Sequence, residues 1–304
     1  MPELPEVQTT VDGIKAKAKG LQILDVWTDY RSDFHIGKDN IANPKFFSHF
    51  KKSVRKSKII NASRRAKNVL IHLSNGKTIL IHMKMTGHVM YGKYKKEKNK
   101  WIALGSGPLR DDPFNRHVHL VFTLSNGKHL VLCDMRKFAK VTLVDTDTLA
   151  ESEHLKHHGP EPLEDTFVFE EFKSRLLTKP HWPVKKVLMD LTVVSGIGNI
   201  YSDEILWSAG VHPIELIENI KNPKLLLVFE AMKNILRRGI DFGGDSMSDY
   251  RNIDGLAGKF QNRHNAYQKT GEKCNKNNCG GIIERIVVGG RSAHFCNKHQ
   301  KLTK

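Results

Sequence analysis

Acidic residues are scarce in this chain: 32 Asp and Glu stand against 49 Lys and Arg over 304 residues, a formal charge of +17. An ordinary cytosolic enzyme has no need of that excess. It suits a polyanionic partner, nucleic acid ahead of an anionic membrane. Cysteine is scarcer still, four in all, and three of the four fall in the last 31 residues. So few thiols, so clustered, argue against a disulfide-stapled scaffold and for a metal site in a reducing compartment. Long apolar runs are missing, and none approaches the ~18 residues of a membrane-spanning helix. The first residues are acidic and helical, with no apolar leader. There is no low-complexity tract. These absences give the expectation of a soluble, cytoplasmic protein that uses no membrane. Hydrophobic residues at 39% are enough for a core, and the length allows two domains.

What is present is strongly periodic. Pro5 suits a first helical turn, and Val7, Val11, Ile14 and Ala18 follow at helical spacing before Gly20. From about 21 to 144 the period changes to two. "NVLIHLSNGKTILIHM" and "HVHLVFTLSNGKHLVLCDM" each place Ser-Asn-Gly between apolar runs, a strong hairpin signal. Two such hairpins with flanking strands predict an antiparallel sandwich. Between them, residues 91–116 read as an exposed, basic excursion. A polar, His-rich stretch over 145–162 serves as the linker. Helices are predicted over 168–177, 184–190, 200–209 and 224–238, the last closed by Gly239. Residues 242–268 show no period and read as a long functional loop followed by an extended segment.

Three features carry chemistry. Removal of Met1 would leave Pro2 with a free secondary amine, and an α-amino group titrates near ~8 rather than the ~10.4 of lysine. Such an amine attacks electrophilic carbon to give an iminium, and Glu3 adds a carboxylate for proton transfer. The same pair also reads as a processing signal and a helix-start charge. At the other end, Cys274-x4-Cys279-x16-Cys296-x2-His299 has the form of a closed, tetrahedral structural zinc site around a small hairpin turning at Gly289-Gly290. His294 is a rival fourth ligand, but it falls inside a predicted strand. Cys133, isolated in a strand, reads as a small buried hydrophobe. In "VVSGIGNIYSDEILWSAGVHP", Gly196 and Gly198 permit close approach of a ligand, and Asn199 opens a helix whose N–H groups suit phosphate. A tight corner between two helices is the plainer reading.

With this string and "MPELPE" at the start, the chain resembles the formamidopyrimidine-DNA glycosylase/endonuclease VIII family. The resemblance runs nearly end to end through "RRAKNVL", "HMKMTGHV", "DMRKFA", "HGPEPL" and "GGRSAHFC". It implies a base-excision enzyme that removes a damaged base and then nicks the abasic strand. It implies Pro2 as the nucleophile at C1′ and Glu3 as the acid/base that opens the sugar. It implies Lys67 and Arg291 as cations that hold flanking phosphates and assist elimination, and Asn199 and His117 as DNA contacts. Met85, Arg136 and Phe138 match a trio that fills the gap left by an everted base. Without the resemblance, Met85 and Phe138 would be read as core, and Lys67 as a solvated strand-edge lysine. The trio points to the formamidopyrimidine branch, hence oxidised purines.

The departures are local. Met135, Lys137 and Ala139 replace proline, arginine and glycine, and His299 replaces a zinc cysteine. A DNA-contacting lysine falls on Pro180 or His181, with Lys179 or Lys185 as substitutes; Lys185 is taken as the DNA contact. The expected fold is α+β: an antiparallel β-sandwich with a flanking helix (1–150), a helix-two-turn-helix domain (151–265) and a zinc-finger β-hairpin (266–304). The expected function is a monomeric glycosylase/abasic-site lyase acting on damaged double-stranded DNA, with one structural zinc. The alternatives are an endonuclease VIII-like enzyme for oxidised pyrimidines, a lyase without glycosylase power, and a non-enzymatic zinc-finger nucleic-acid binder.

Overall fold

The computed structural model describes residues 1–30 and 37–303. The chain divides into two compact units, Met1–Lys156 with Phe242–Lys259, and His157–Asp241 with Phe260–Lys304.

The first unit is a sandwich of two antiparallel four-stranded sheets. One has the order β1 (Ile23–Thr28), β8 (Val118–Leu124), β9 (His129–Cys133), β5 (His88–Gly92). The other runs β10 (Lys140–Asp145), β4 (Lys77–His82), β3 (Asn68–Leu73), β2 (Ile59–Arg65). Both expected hairpins form. Gly76 and Gly127 adopt φ of 74° and 75°, a left-handed conformation that costs glycine least. Asn75 and Asn126 accept hydrogen bonds from the backbone two residues on, the local bond that favours Asn in turns. Val26, Ile71, Ile81, Leu120, Phe122 and Leu132 fill the space between the sheets. Helix α1 (Leu4–Ala18) adds Val7, Val11 and Ile14 to that core.

One expectation for this unit needs correction. The strand-only reading of 21–144 misses helix α2 (Pro44–Val54), which Asn43 caps through Oδ1 and Pro44 starts. Phe46, Phe50 and Val54, at a spacing of four, pack it on the sandwich core. The basic excursion, exposed over 95–100, holds a hairpin in which β6 (Tyr94–Glu97) pairs with β7 (Lys100–Ala103), followed by the short helix α3 (Pro108–Asp111).

The second unit contains α4 (Phe169–Leu177), α5 (Val184–Leu188), α6 (Asn199–Ala209), α7 (Asn222–Asp241) and the hairpin β11 (Ile283–Val288)–β12 (Arg291–Cys296). Gly210, at φ 67°, ends α6 in the left-handed C-cap geometry. Gly239 does not end α7: it is buried within the helix, which continues to Asp241. No helix among the described residues is long and apolar enough to cross a membrane.

Candidate active site and zinc centre

The start of α1 is tied down from three directions. Glu3 is its N-cap, accepting from the Glu6 N–H, while the Glu6 carboxylate accepts from the Glu3 N–H at 2.7 Å. This reciprocal capping box satisfies orphan donors at the helix end. The second Glu6 oxygen accepts from the Asp245 N–H at 2.7 Å, and the Tyr250 hydroxyl donates to the Glu6 carbonyl at 2.9 Å. Gly244 (φ 84°) lies so close that a Cβ would stand 2.9 Å from Glu6 Cγ. Burial drives the Tyr250 phenol well above its ordinary pKa, with the Glu6 charge adding to it. The aperiodic stretch 242–259 is thus part of the first unit, seated on the turn that carries Pro2 and Glu3. Both of those residues are buried, and Met1 is exposed in front of them. Lys67 sits in the tight β2–β3 turn beside Ala66 (φ 54°). The Arg64 guanidinium donates to Gln8 of α1 and to the Ala66 carbonyl, each at 3.0 Å, which holds that turn against the helix.

The expected trio lies on two neighbouring loops of the same unit. Met85 is 37% exposed and Phe138 42%, and Arg136 is also exposed. The core reading of Met85 and Phe138 therefore fails. The Arg136 guanidinium lies 4.5 Å from the centre of the Phe138 ring, a cation–π contact. Between the loops sits Asp134, fully buried, which the sequence reading passed over. It accepts from the Thr86 hydroxyl, and from the Ala139 N–H and Tyr30 hydroxyl at 2.8 Å each. His117 is half-buried, and its carbonyl accepts from the Asp134 N–H at 2.8 Å.

In the second unit the four expected zinc ligands converge. One ligand atom from each of Cys274, Cys279, Cys296 and His299 lies within 4.8 Å of the others. Cys279 and Cys296 Sγ are 3.4 Å apart, and His299 Nδ1 is 3.6 and 3.4 Å from the sulfurs of Cys274 and Cys279. Zinc bonds of about 2.0–2.3 Å in a tetrahedron put ligand atoms roughly 3.5–3.8 Å apart, so the donor set fits. His299 Nε2 is 3.1 Å from the Trp207 carbonyl. That bond fixes the tautomer that leaves Nδ1 free to ligate. Burial lowers the His299 pKa against the opposing Trp207 bond, and Lys276 and Lys224 lower it further, which favours the neutral ring a ligand requires.

The rival His294 is occupied elsewhere: its N–H and Nδ1 lie 3.0 and 2.8 Å from Asp203. Asp203 also pairs with Lys185, and both side chains are fully buried. This corrects the expectation for Lys185. Its ammonium sits under α6, 3.4 Å from the Asn199 carbonyl, out of reach of a phosphate. Asn199 instead faces the hairpin, its Nδ2 donating to Ser292 at 3.2 Å. Arg291, the residue before Ser292, is exposed and follows Gly289 and Gly290 at φ 56° and 76°, the pair of left-handed positions a type I′ turn demands. Glu204, buried beside Asp203, accepts from the backbone of Asn265, Ala266 and Tyr267. Two adjacent acids on a largely apolar helix were the sequence signal for both of these roles.

Three family models match along the chain: the formamidopyrimidine-DNA glycosylase N-terminal domain over 1–141, its H2TH domain over 158–251, and a zinc finger found in FPG and IleRS over 271–298. A formamidopyrimidine-DNA glycosylase of Pelotomaculum thermopropionicum is 34% identical over 302 residues, covering 99% of this chain and all of that one. The chain belongs to the formamidopyrimidine-DNA glycosylase family. The Herpetosiphon aurantiacus relative is 36% identical, covering 97% of this chain and 98% of its own. Solved structures agree in fold. The Lactococcus lactis Fpg complexed with DNA containing an abasic site superposes with a TM-score of 0.83 at 29% identity, covering 98% of this chain and 99% of that one. The wild-type Lactococcus lactis protein with DNA containing an oxidised pyrimidine gives 0.82 at 29% identity, covering 99% and 100%. In this family frame the match to the zinc-finger model embraces Cys274, Cys279 and Cys296, and His299 follows it by one residue.

Proposed function

We propose that this chain, by family a DNA glycosylase of base excision repair, excises oxidised purines from duplex DNA through Pro2 and then nicks the abasic strand by β,δ-elimination. The Pro2 nitrogen, freed of Met1, attacks C1′ as the bond to the damaged base breaks. Glu3 supplies the proton transfer that opens the sugar. Lys67 in its turn and Arg291 at the hairpin tip hold phosphates beside the lesion. Asn199, at the N-terminus of α6, adds a third phosphate contact, with His117 a further DNA contact. Zinc supplies only the fold of the hairpin that presents Arg291. Damaged DNA is the sole partner in this reading, and the cytoplasm its compartment.

The observation that carries the reading is the exposure of Met85, Arg136 and Phe138 together on two joined loops. Exposed apolar side chains bring a passive phosphate binder nothing. They offset the few kcal/mol of stacking lost when a nucleotide leaves the helix. Oxidised pyrimidines form a second reading, favoured by the Lactococcus lactis complex with such DNA. Borohydride trapping on duplexes carrying 8-oxoguanine, a formamidopyrimidine, thymine glycol or a bare abasic site tests both. The expected order puts the purine lesions above thymine glycol, with the adduct on Pro2 by mass spectrometry. An adduct on Lys67, or no adduct on any lesion, removes the proposal; a preference for thymine glycol replaces it with the second reading.

A further inference from the structure

The Met85–Arg136–Phe138 trio leaves all three side chains exposed, so they contribute little packing of their own to hold the loops. Its stiffness has to come from elsewhere. One buried carboxylate touches both loops. Asp134 is completely shielded from solvent. One of its oxygens accepts from the hydroxyl of Thr86, the neighbour of Met85. The other accepts from the N–H of Ala139, the neighbour of Phe138, at 2.8 Å. The Tyr30 hydroxyl lies 2.8 Å from that same oxygen and from the Ala139 carbonyl. Thr86 Oγ1 in turn accepts from the Arg136 N–H at 3.1 Å. The Asp134 carbonyl accepts from the Lys137 N–H, closing a turn in which Lys137 takes φ 54°. Each member of the trio is therefore at most one residue from a group bonded to this carboxylate or to its Thr86 partner.

We propose that Asp134, acting through Thr86 and Tyr30, is the positioning residue that locks the two loops so that Met85, Arg136 and Phe138 can enter the base stack as one rigid wedge. The inference rests on the reading of the trio as a gap-filler. A wedge that unstacks bases is pushed back by the stack, and an exposed loop yields unless its backbone is held. Hydrogen bonds to a carboxylate are roughly twice as strong as those between neutral groups. Three donors also satisfy a charge that would be costly left alone. The arrangement makes the loops stiff without covering the side chains that must meet DNA.

Thr86→Val keeps the shape of the side chain and removes the bridge. Thr86→Ser restores it, and Asp134→Asn replaces an acceptor with a donor facing donors. The measurements are single-turnover excision from duplex and the fluorescence of a 2-aminopurine placed beside the lesion, which rises on unstacking. Thr86→Val should lower both by on the order of tenfold, the cost of leaving a buried group unsatisfied. Thr86→Ser should recover most of the loss, and affinity for undamaged duplex should stay near wild type. In a double-variant cycle, Phe138→Ala with Thr86→Val should lose clearly less than the sum of the two single losses, because the clamp then has only Met85 and Arg136 left to position. If Phe138→Ala itself excises like wild type, the gap-filling reading fails. If Phe138→Ala is impaired but Thr86→Val is not, or the two losses add, the positioning role fails. Should Asp134→Asn not fold, the threonine pair and its cycle decide the matter alone.

Discussion

Glu3 is the residue whose two duties can be separated. Its carboxylate caps α1, and in the proposed reaction it also serves the sugar of the lesion. Opening the sugar ring requires a proton, whereas a bare abasic site already presents an aldehyde to the Pro2 amine. Glu3→Gln keeps an oxygen able to accept from the Glu6 N–H, so the helix start should survive. Excision from a lesion duplex should fall by about 10²-fold or more, the usual contribution of a positioned acid or base. Trapping on a pre-formed abasic site should remain measurable. Parallel assays on the two substrates check this, and equal losses on both would refute the division.

At the scale of an element, the zinc hairpin stands on very little apolar packing. Cys274, Cys279, Ile283 and Cys296, with Trp207 beside them, form its cluster. So small a module depends on its metal to fold. His299→Ala should lose most of the zinc, measured by metal analysis, and should expose the region around β11 and β12 to protease. His299→Cys should retain zinc. His294→Ala should keep about one zinc per chain, the content of a single four-ligand site, yet lower stability, because it leaves Asp203 with one partner fewer in a dry site. Zinc retained in His299→Ala would mean the fourth ligand lies elsewhere.

The whole molecule answers to pH and to salt. His88 is fully buried, and desolvation lowers its pKa to about 4, against weaker opposing bonds from Asn115 and Thr86. Between that value and its ordinary ~6.5 the unfolded chain binds a proton that the folded chain refuses. Folding stability therefore rises with pH through this window, and it is lost as pH falls from about 6.5 towards 4. The contribution of this one group is at most about 3 kcal/mol. Denaturant titrations at pH 7 and pH 5 should show that loss, and His88→Gln should flatten it; an unchanged slope would mean that other histidines carry the acid sensitivity. Net charge governs the second response. With +17 overall, affinity for undamaged duplex should fall steeply with salt, by about 10³-fold or more between 50 and 200 mM if six or more phosphates are contacted. Fluorescence anisotropy across that range gives the slope. A flat line would remove phosphate neutralisation as the basis of binding.

Short-range patterns determined what could be read from the sequence. The Ser-Asn-Gly hairpins, the apolar stripe of α1, the strands of the zinc hairpin and the choice of His299 over His294 all follow from period, turn chemistry and ligand spacing within some thirty residues. Tertiary structure alone decided which side chains meet solvent. Lys185 looked like a phosphate ligand and is buried against Asp203; Met85 and Phe138, which without the resemblance read as core, are exposed. Helix α2 escaped because its Phe-rich face was read with the period of the strands around it. The segment 242–259 has no period at all, and its place on α1 rests on bonds such as Tyr250 to Glu6, 244 residues apart. Tyr30 reaches Asp134 across 104 residues. Burial and hydrogen bonding are properties of whatever distant chain comes to lie alongside, and nothing in the residues next to Asp134 says that a tyrosine and a threonine will be there to hold its charge.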